Sequence, residues 1–109
     1  MIVLGQLDAA VASFDMAIRL KPDFARVFSN RAEAQAKLGL LTEARASHDQ
    51  AVLLGPQDAA IHFNRALARE DLGDLKGAYL DYRKAAELEP TWDQPKRELA
   101  RFTVGKSAT

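Results

Sequence analysis

His48 and His62 are the side chains of this 109-residue sequence best suited to proton transfer or metal ligation. Neither has the neighbours that such chemistry requires. No histidine and carboxylate stand at metal-ligand spacing. Glu70, Asp71 and Asp74 crowd one stretch without the alternating Asp pattern of a calcium loop, so a solvated turn is the expected setting. There is no Gly-rich phosphate loop, and with no cysteine there can be no disulfide, thiolate zinc site or cysteine nucleophile. Catalysis has to be argued from a site, so no enzymatic role, cofactor or metal is expected. What remains is amide chemistry. Asn30 and Asn64 lie 64 − 30 = 34 residues apart, and a primary amide offers a donor and an acceptor side by side. That suits the N–H and C=O of an extended backbone, although a solvated amide on a helix surface would look the same.

The composition sets the frame. The chain is 48% hydrophobic and 28% charged, as in ordinary soluble globular proteins. Fifteen basic and fifteen acidic residues cancel, leaving no global field for nucleic acid or an anionic membrane. At 12.0 kDa one domain is expected, burying roughly two-thirds of its unfolded surface. No apolar run approaches the ~20 residues of a membrane helix. The opening MIVLGQLDAA has no basic n-region and is interrupted by Asp8, so it does not read as a signal peptide, and a cytoplasmic location is expected.

An internal repeat organises the chain. Prolines stand at Pro22, Pro56 and Pro90, with 56 − 22 = 34 and 90 − 56 = 34. The same step aligns Leu4, Leu38 and Leu72; Gly5, Gly39 and Gly73; Leu7, Leu41 and Leu75; Ala10, Ala44 and Ala78; Ala17, Ala51 and Ala85; and Leu20, Leu54 and Leu88. Apolar and small residues recur at helical spacing over 25–38 and again over 42–54. Between these stretches Gly39 can take the positive φ that ends a helix. Thr42, Asp23 and Asp58 are the expected N-caps, and the prolines stop each second helix. Ala44 and Ala78 let two helix axes approach to about 8–10 Å. The unit is an antiparallel helix pair, A then B.

On these residues the chain resembles the tetratricopeptide repeat family, in a bacterial-like form, from Met1 to Pro90. The turn Gly and Leu, the helix B alanines, the aromatic-type place (Phe14, His48, Tyr82) and the final Pro match; at that place His48 is expected to be packed. Helix A departs from the pattern. Its large aromatic is Phe28 or His62, its Leu is Arg31 or Arg65, its Gly is Ala32 or Ala66, and its Tyr is Gln35 or Arg69. Those arginines are expected to pack their stems and place their heads at the edge. The resemblance implies an all-α solenoid of antiparallel helix pairs with a C-terminal capping helix. Its parts are a truncated first repeat over 1–22, mainly helix B, repeats over 23–56 and 57–90, a capping helix over 91–105 and a flexible tail over 106–109. Trp92, Leu99 and Phe102 supply the apolar side of the capping helix.

The resemblance further implies a concave face built from helix A that binds extended peptides or partner helices. On that face it places Arg26, Ser29, Asn30, Glu33 and Lys37 of the second copy and Ala60, Phe63, Asn64, Leu67 and Glu70 of the third, with Arg97 and Arg101 added by the closing helix. Asn30 and Asn64 become stacked clamps for peptide backbone. Phe63 is expected to take an apolar ligand side chain, Leu67 to pack under the closing helix, and Arg97 and Arg101 to favour an acidic ligand residue. The full clamp for an acidic chaperone C terminus also wants a Lys where Ala60 stands, so that ligand is not expected. The leading reading is thus a protein–protein interaction module, an adaptor or scaffold. The rival is a self-associating structural piece or a fragment of a longer array. Met1, Ile2 and Val3 read as the last turn of an A helix and Leu4-Gly5 as a turn, so that Ile2, Val3, Ala10, Phe14 and Ala17 would form an uncovered face able to pair with a second copy.

Overall fold

A computed structural model describes the backbone of residues 2–107 and the side chains of residues 5–102. The described residues form six helices: α1 (Ile2–Leu20), α2 (Ala25–Lys37), α3 (Leu41–Leu54), α4 (Ala59–Asp71), α5 (Leu75–Leu88) and α6 (Asp93–Ser107). They fall into two compact units, Met1–Pro56 and Gln57–Thr109, divided where the second and third sequence repeats meet. In the first, α2 packs between α1 and α3; in the second, α5 packs between α4 and α6. Among the described residues, no helix is long and apolar enough to cross a membrane.

The A-to-B turns follow from one residue each. Gly39 and Gly73 adopt φ of 82° and 84°, the left-handed region a side chain disfavours. The backbone N–H of Leu40 donates to Gln35 O at 2.9 Å, and that of Asp74 donates to Arg69 O at 2.8 Å. A second bond runs from Gly39 N to Ala36 O and from Gly73 N to Glu70 O, each 3.0 Å long. These nested bonds absorb carbonyls that a helix end otherwise leaves open. Asp58 caps α4 by accepting from Ala60 N at 3.0 Å, and Asp74 caps α5 by accepting from Gly77 N at 2.9 Å. The other two expected caps are displaced. Phe24 and Leu40 occupy the N-cap positions of α2 and α3 without a side-chain bond, which leaves Asp23 ahead of the cap and Thr42 inside the helix.

The first copy has no turn. α1 runs unbroken through Leu4-Gly5 where a bend was expected, and Gly5 is not among the glycines with positive φ. The reason is energetic. At Gly39 and Gly73 the bend lets a 13-residue helix fold back on the next one, as α2 does on α3 and α4 on α5. At Gly5 the described residues on both sides belong to the one helix α1, and its hydrogen bonds are kept. A glycine inside the helix costs only about 1 kcal/mol relative to alanine. Of the face expected to be uncovered, Ala10, Phe14 and Ala17 are half-buried in a helix that packs on α2. Met1 and the side chains of Ile2 and Val3 lie outside the described residues.

Small residues allow the helices to cross closely. Ala44 is buried, and Ala32, Ala51, Ala66, Ala78 and Ala85 completely so. In the second unit they surround an aromatic core of Phe63 and Tyr82, with Trp92, Leu99 and Phe102 closing it. Ring centroids are 5.4 Å apart for Phe63–Tyr82 and 5.0 Å for Phe63–Trp92. α6 therefore covers the end of α5 with the residues expected of a closing helix; Pro95 is buried in its first turn.

Candidate functional site

A buried polar layer fixes each A helix against its B helix, and it uses the positions where helix A departs from the family pattern. In the first unit, Arg31 Nε donates to Ser47 Oγ (3.1 Å), and Ser47 Oγ donates to Gln35 Oε1 (2.6 Å). Arg31 also meets Asp15 of α1 at 2.8 Å. In the second unit, Arg65 grips Asp81 with two bonds, Nε to Oδ2 at 2.8 Å and Nη2 to Oδ1 at 3.0 Å, and Arg69 Nη1 adds a third at 3.1 Å. His62 Nδ1 stands 3.7 Å from Asp81 Oδ1. One step of 34 carries Arg31 to Arg65, Gln35 to Arg69 and Ser47 to Asp81. A neutral Ser–Gln pair in one copy is thus an ionic Asp–Arg pair in the next. The arginine heads turn inward onto these partners instead of sitting at the edge. Nothing in one copy alone signals the layer; the paired change at 35/69 and 47/81 does.

Asp81 is 3% exposed. Burial pushes its carboxyl up, but nearby His62, the bonds from Arg65 and the charges of Arg65 and Arg69 outweigh that, and it ionises below the ordinary value of 3.8. A carboxylate lowered in the folded state adds stability at and above the unfolded-state value and loses it as pH falls through the folded-state value. Acidification below about pH 4 is therefore expected to lower the melting temperature. Asp81→Asn should flatten that part of a melting-temperature-against-pH curve; an unchanged acid limb would show that Asp81 does not carry it.

With the helices so fixed, one stripe of each A helix stays open. On α2 it is Arg26, Asn30, Glu33 and Lys37, all exposed. Adding 34 gives Ala60, Asn64, Leu67 and Asp71 on α4, where Ala60 and Asn64 are half-buried and Leu67 is 41% exposed. The first stripe is charged around its Asn and the second has apolar neighbours. Two sequence expectations invert here. Phe63 is not an open contact residue: it is 5% exposed, at the centre of the aromatic core. Leu67, expected to be covered, is the exposed one. Successive helix residues are about 100° apart, so Phe63 and Asn64 cannot both face outward, and Trp92 draws Phe63 in. Ser29, one step of 34 before Phe63, is likewise buried at 2%.

The closing helix contributes differently from expectation as well. Arg97 is exposed. Arg101 is engaged: Nη2 donates to Glu70 Oε1 of α4 at 2.9 Å, and Nε donates to Glu98 Oε1 at 2.8 Å. Tyr82 Oη donates to the same Glu70 oxygen at 2.8 Å. The bonds from Arg101 and then Tyr82 hold the Glu70 carboxyl below its ordinary value of 4.5. Burial, reinforced by Glu70, pushes the Tyr82 hydroxyl up, and Glu70 and Glu98 push Arg101 up. An acidic ligand reaching Arg101 has to compete with two carboxylates already there. The acidic cluster of the third copy is accordingly divided, with Glu70 paired, Asp74 capping α5 and Asp71 exposed.

Family models described as TPR repeat and Tetratricopeptide repeat match residues 3–39 and 59–92. Among solved structures, the Arabidopsis OM64 TPR domain is 31% identical, with 89% of this chain and 80% of that one covered and a TM-score of 0.78. The first TPR of Spaghetti (RPAP3), bound to the HSP90 peptide SRMEEVD, is 26% identical over 94% of this chain and 82% of that one, TM-score 0.82. The second TPR domain of human RPAP3, in complex with the HSP70 peptide SGPTIEEVD, is 29% identical over 91% and 82%, TM-score 0.78. No curated protein matches the chain.

Proposed function

This chain belongs to the tetratricopeptide repeat family, whose domains are protein–protein interaction modules, and from that premise we propose that it holds a peptide segment of another protein against the open stripe of α4. The observation that carries the reading is the recurrence of Asn at one register, Asn30 on α2 and Asn64 on α4, with exposed Leu67 one turn beyond Asn64. The amide can hold both backbone groups of an extended ligand, and Leu67 offers its apolar side chain a surface to cover. Arg26 and Lys37 supply positive charge on the α2 stripe, with Glu33 between them, and Arg97 supplies it on α6. The proposed role is that of an adaptor without catalysis, with the cytoplasm as its setting.

The relatives of known ligand bind peptides ending in EEVD. This chain has Ala60 where an acidic-tail clamp wants Lys, and Arg101 is occupied by Glu70 and Glu98, so a less acidic ligand with an apolar side chain is the better fit. The test is to select binders from a random peptide library and measure their affinity by calorimetry, with SRMEEVD as comparison. Asn64→Ala and Leu67→Ala are each expected to weaken the selected peptide about tenfold, a loss of about 1.4 kcal/mol, and Leu67→Ala, at an exposed position, should leave the melting temperature within a degree or two. Unchanged affinity in both variants would remove the α4 stripe as the binding surface.

A further inference from the structure

The side of α1 turned away from α2 carries a size gradient. Gly5, Ala9, Ala12, Met16 and Leu20 recur at helical spacing and are all exposed, Met16 at 51% and Leu20 at 80%. The small residues occupy its N-terminal half and the large ones its C-terminal half. A methyl group added at Gly5 would meet nothing within 4 Å. Along one flank of this face lie exposed Asp8 and Arg19, of opposite charge and near opposite ends; Asp15, between them, is engaged by Arg31 of α2.

We infer that this face pairs with the same face of a second copy, the two α1 helices running antiparallel about a two-fold axis between Ser13 and Phe14. Two features, charge and size, select that occupant and that direction. In an antiparallel pair a helix flank meets its own counterpart, and residues face each other when their numbers sum to a constant. With the axis at that point the constant is 13 + 14 = 27, and 8 + 19 = 27 sets Asp8 opposite Arg19 of the second copy, twice. The same register places Leu20 between Gly5 and Ala9 of the other helix and Met16 between Ala9 and Ala12, so that large side chains enter the hollows small ones leave. A parallel pair would instead turn the flank of Asp8 and Arg19 towards the opposite flank of the second copy, away from each other, and set Leu20 on Leu20. The arrangement is self-complementary in charge and in size only when reversed.

One helix pair buries an area at the small end of specific interfaces, so the dimer forms in the range of about 10 μM to 1 mM. Light scattering on the whole chain across that range is expected to rise from 12.0 kDa towards twice that mass. Leu20→Glu, at a position too exposed to affect folding, should abolish the rise. Asp8→Arg sets like charge against Arg19 of the second copy at both ends and should weaken the dimer at least tenfold. Arg19→Asp should do the same, and the double exchange Asp8→Arg with Arg19→Asp should restore it. A mass constant at 12.0 kDa up to about 1 mM in the unaltered chain overturns the inference, as does a dimer that survives Leu20→Glu. Failure of the double exchange to rescue overturns the antiparallel register.

Discussion

Phe63→Ala is expected to destabilise the second unit by about 3–5 kcal/mol, the range for deleting a buried aromatic ring. Phe63 is 5% exposed and holds the rings of Tyr82 and Trp92 at 5.4 and 5.0 Å. Ala59, Ala66, Ala78, Tyr82 and Ala85 share its buried cluster, and Leu88, Trp92, Leu99 and Phe102 pack against it. A domain of this size loses about 4–8 °C of melting temperature per kcal/mol, so the cooperative transition should fall by more than about 12 °C. Leu67→Ala, one turn along at a 41% exposed position, should change stability by less than about 0.5 kcal/mol. The pair separates a core residue from a contact residue. Equal stability in the two variants would contradict the assignment of both.

The second large effect concerns the polar layer. Asp81→Ser leaves Arg65 and Arg69 without their buried carboxylate, and removing one partner of a buried ionic network costs about 3–5 kcal/mol. The side chains of Arg65 and Arg69 are 17% and 31% exposed and recover some hydration, so the lower end, about 3 kcal/mol, is expected. Adding Arg69→Gln to Asp81→Ser reproduces the triad of the first unit, in which Arg31 donates to Ser47 and Ser47 donates to Gln35. The double variant should therefore be more stable than Asp81→Ser alone by at least about 1 kcal/mol, although Arg69→Gln by itself removes a bond to Asp81. Chemical denaturation of the four proteins measures this coupling. Strict additivity would mean that the two copies do not use interchangeable versions of one layer.

The repeat carried most of the fold to the surface of the sequence. A period of 34 with Gly and Pro at fixed places requires bends at Gly39 and Gly73, and both glycines have the positive φ that a bend needs. The same reasoning fails at Gly5, because a glycine permits a turn without requiring one, and α1 runs straight through it. The site was less legible, for reasons of phase. Phe63, Asn64 and Leu67 span a little over one turn, and an error of one residue in the rotation of α4 exchanges the buried side chain for the open one. The buried Asp81 was hidden in another way. An arginine at an apolar place reads as a stem with its head in water, and only its partner 16 residues on, Ser47 for Arg31 and Asp81 for Arg65, turns the head inward. Arg101 shows the converse: exposed by position, yet held by Glu70, 31 residues earlier in the chain.

The proposed peptide lies on the open stripe of α4 and meets Asn64 and Leu67 directly. Nuclear magnetic resonance on the isotopically labelled chain, titrated with a library-selected peptide, tests it most directly. Saturable shifts are expected in the side-chain amide of Asn64 and the methyl groups of Leu67, with the methyl groups of Ala66, Ala78 and Ala85 in the core unmoved, and the Leu67 shifts should shrink at the same peptide concentration in Asn64→Ala. Saturable binding that leaves Asn64 and Leu67 unshifted would contradict it.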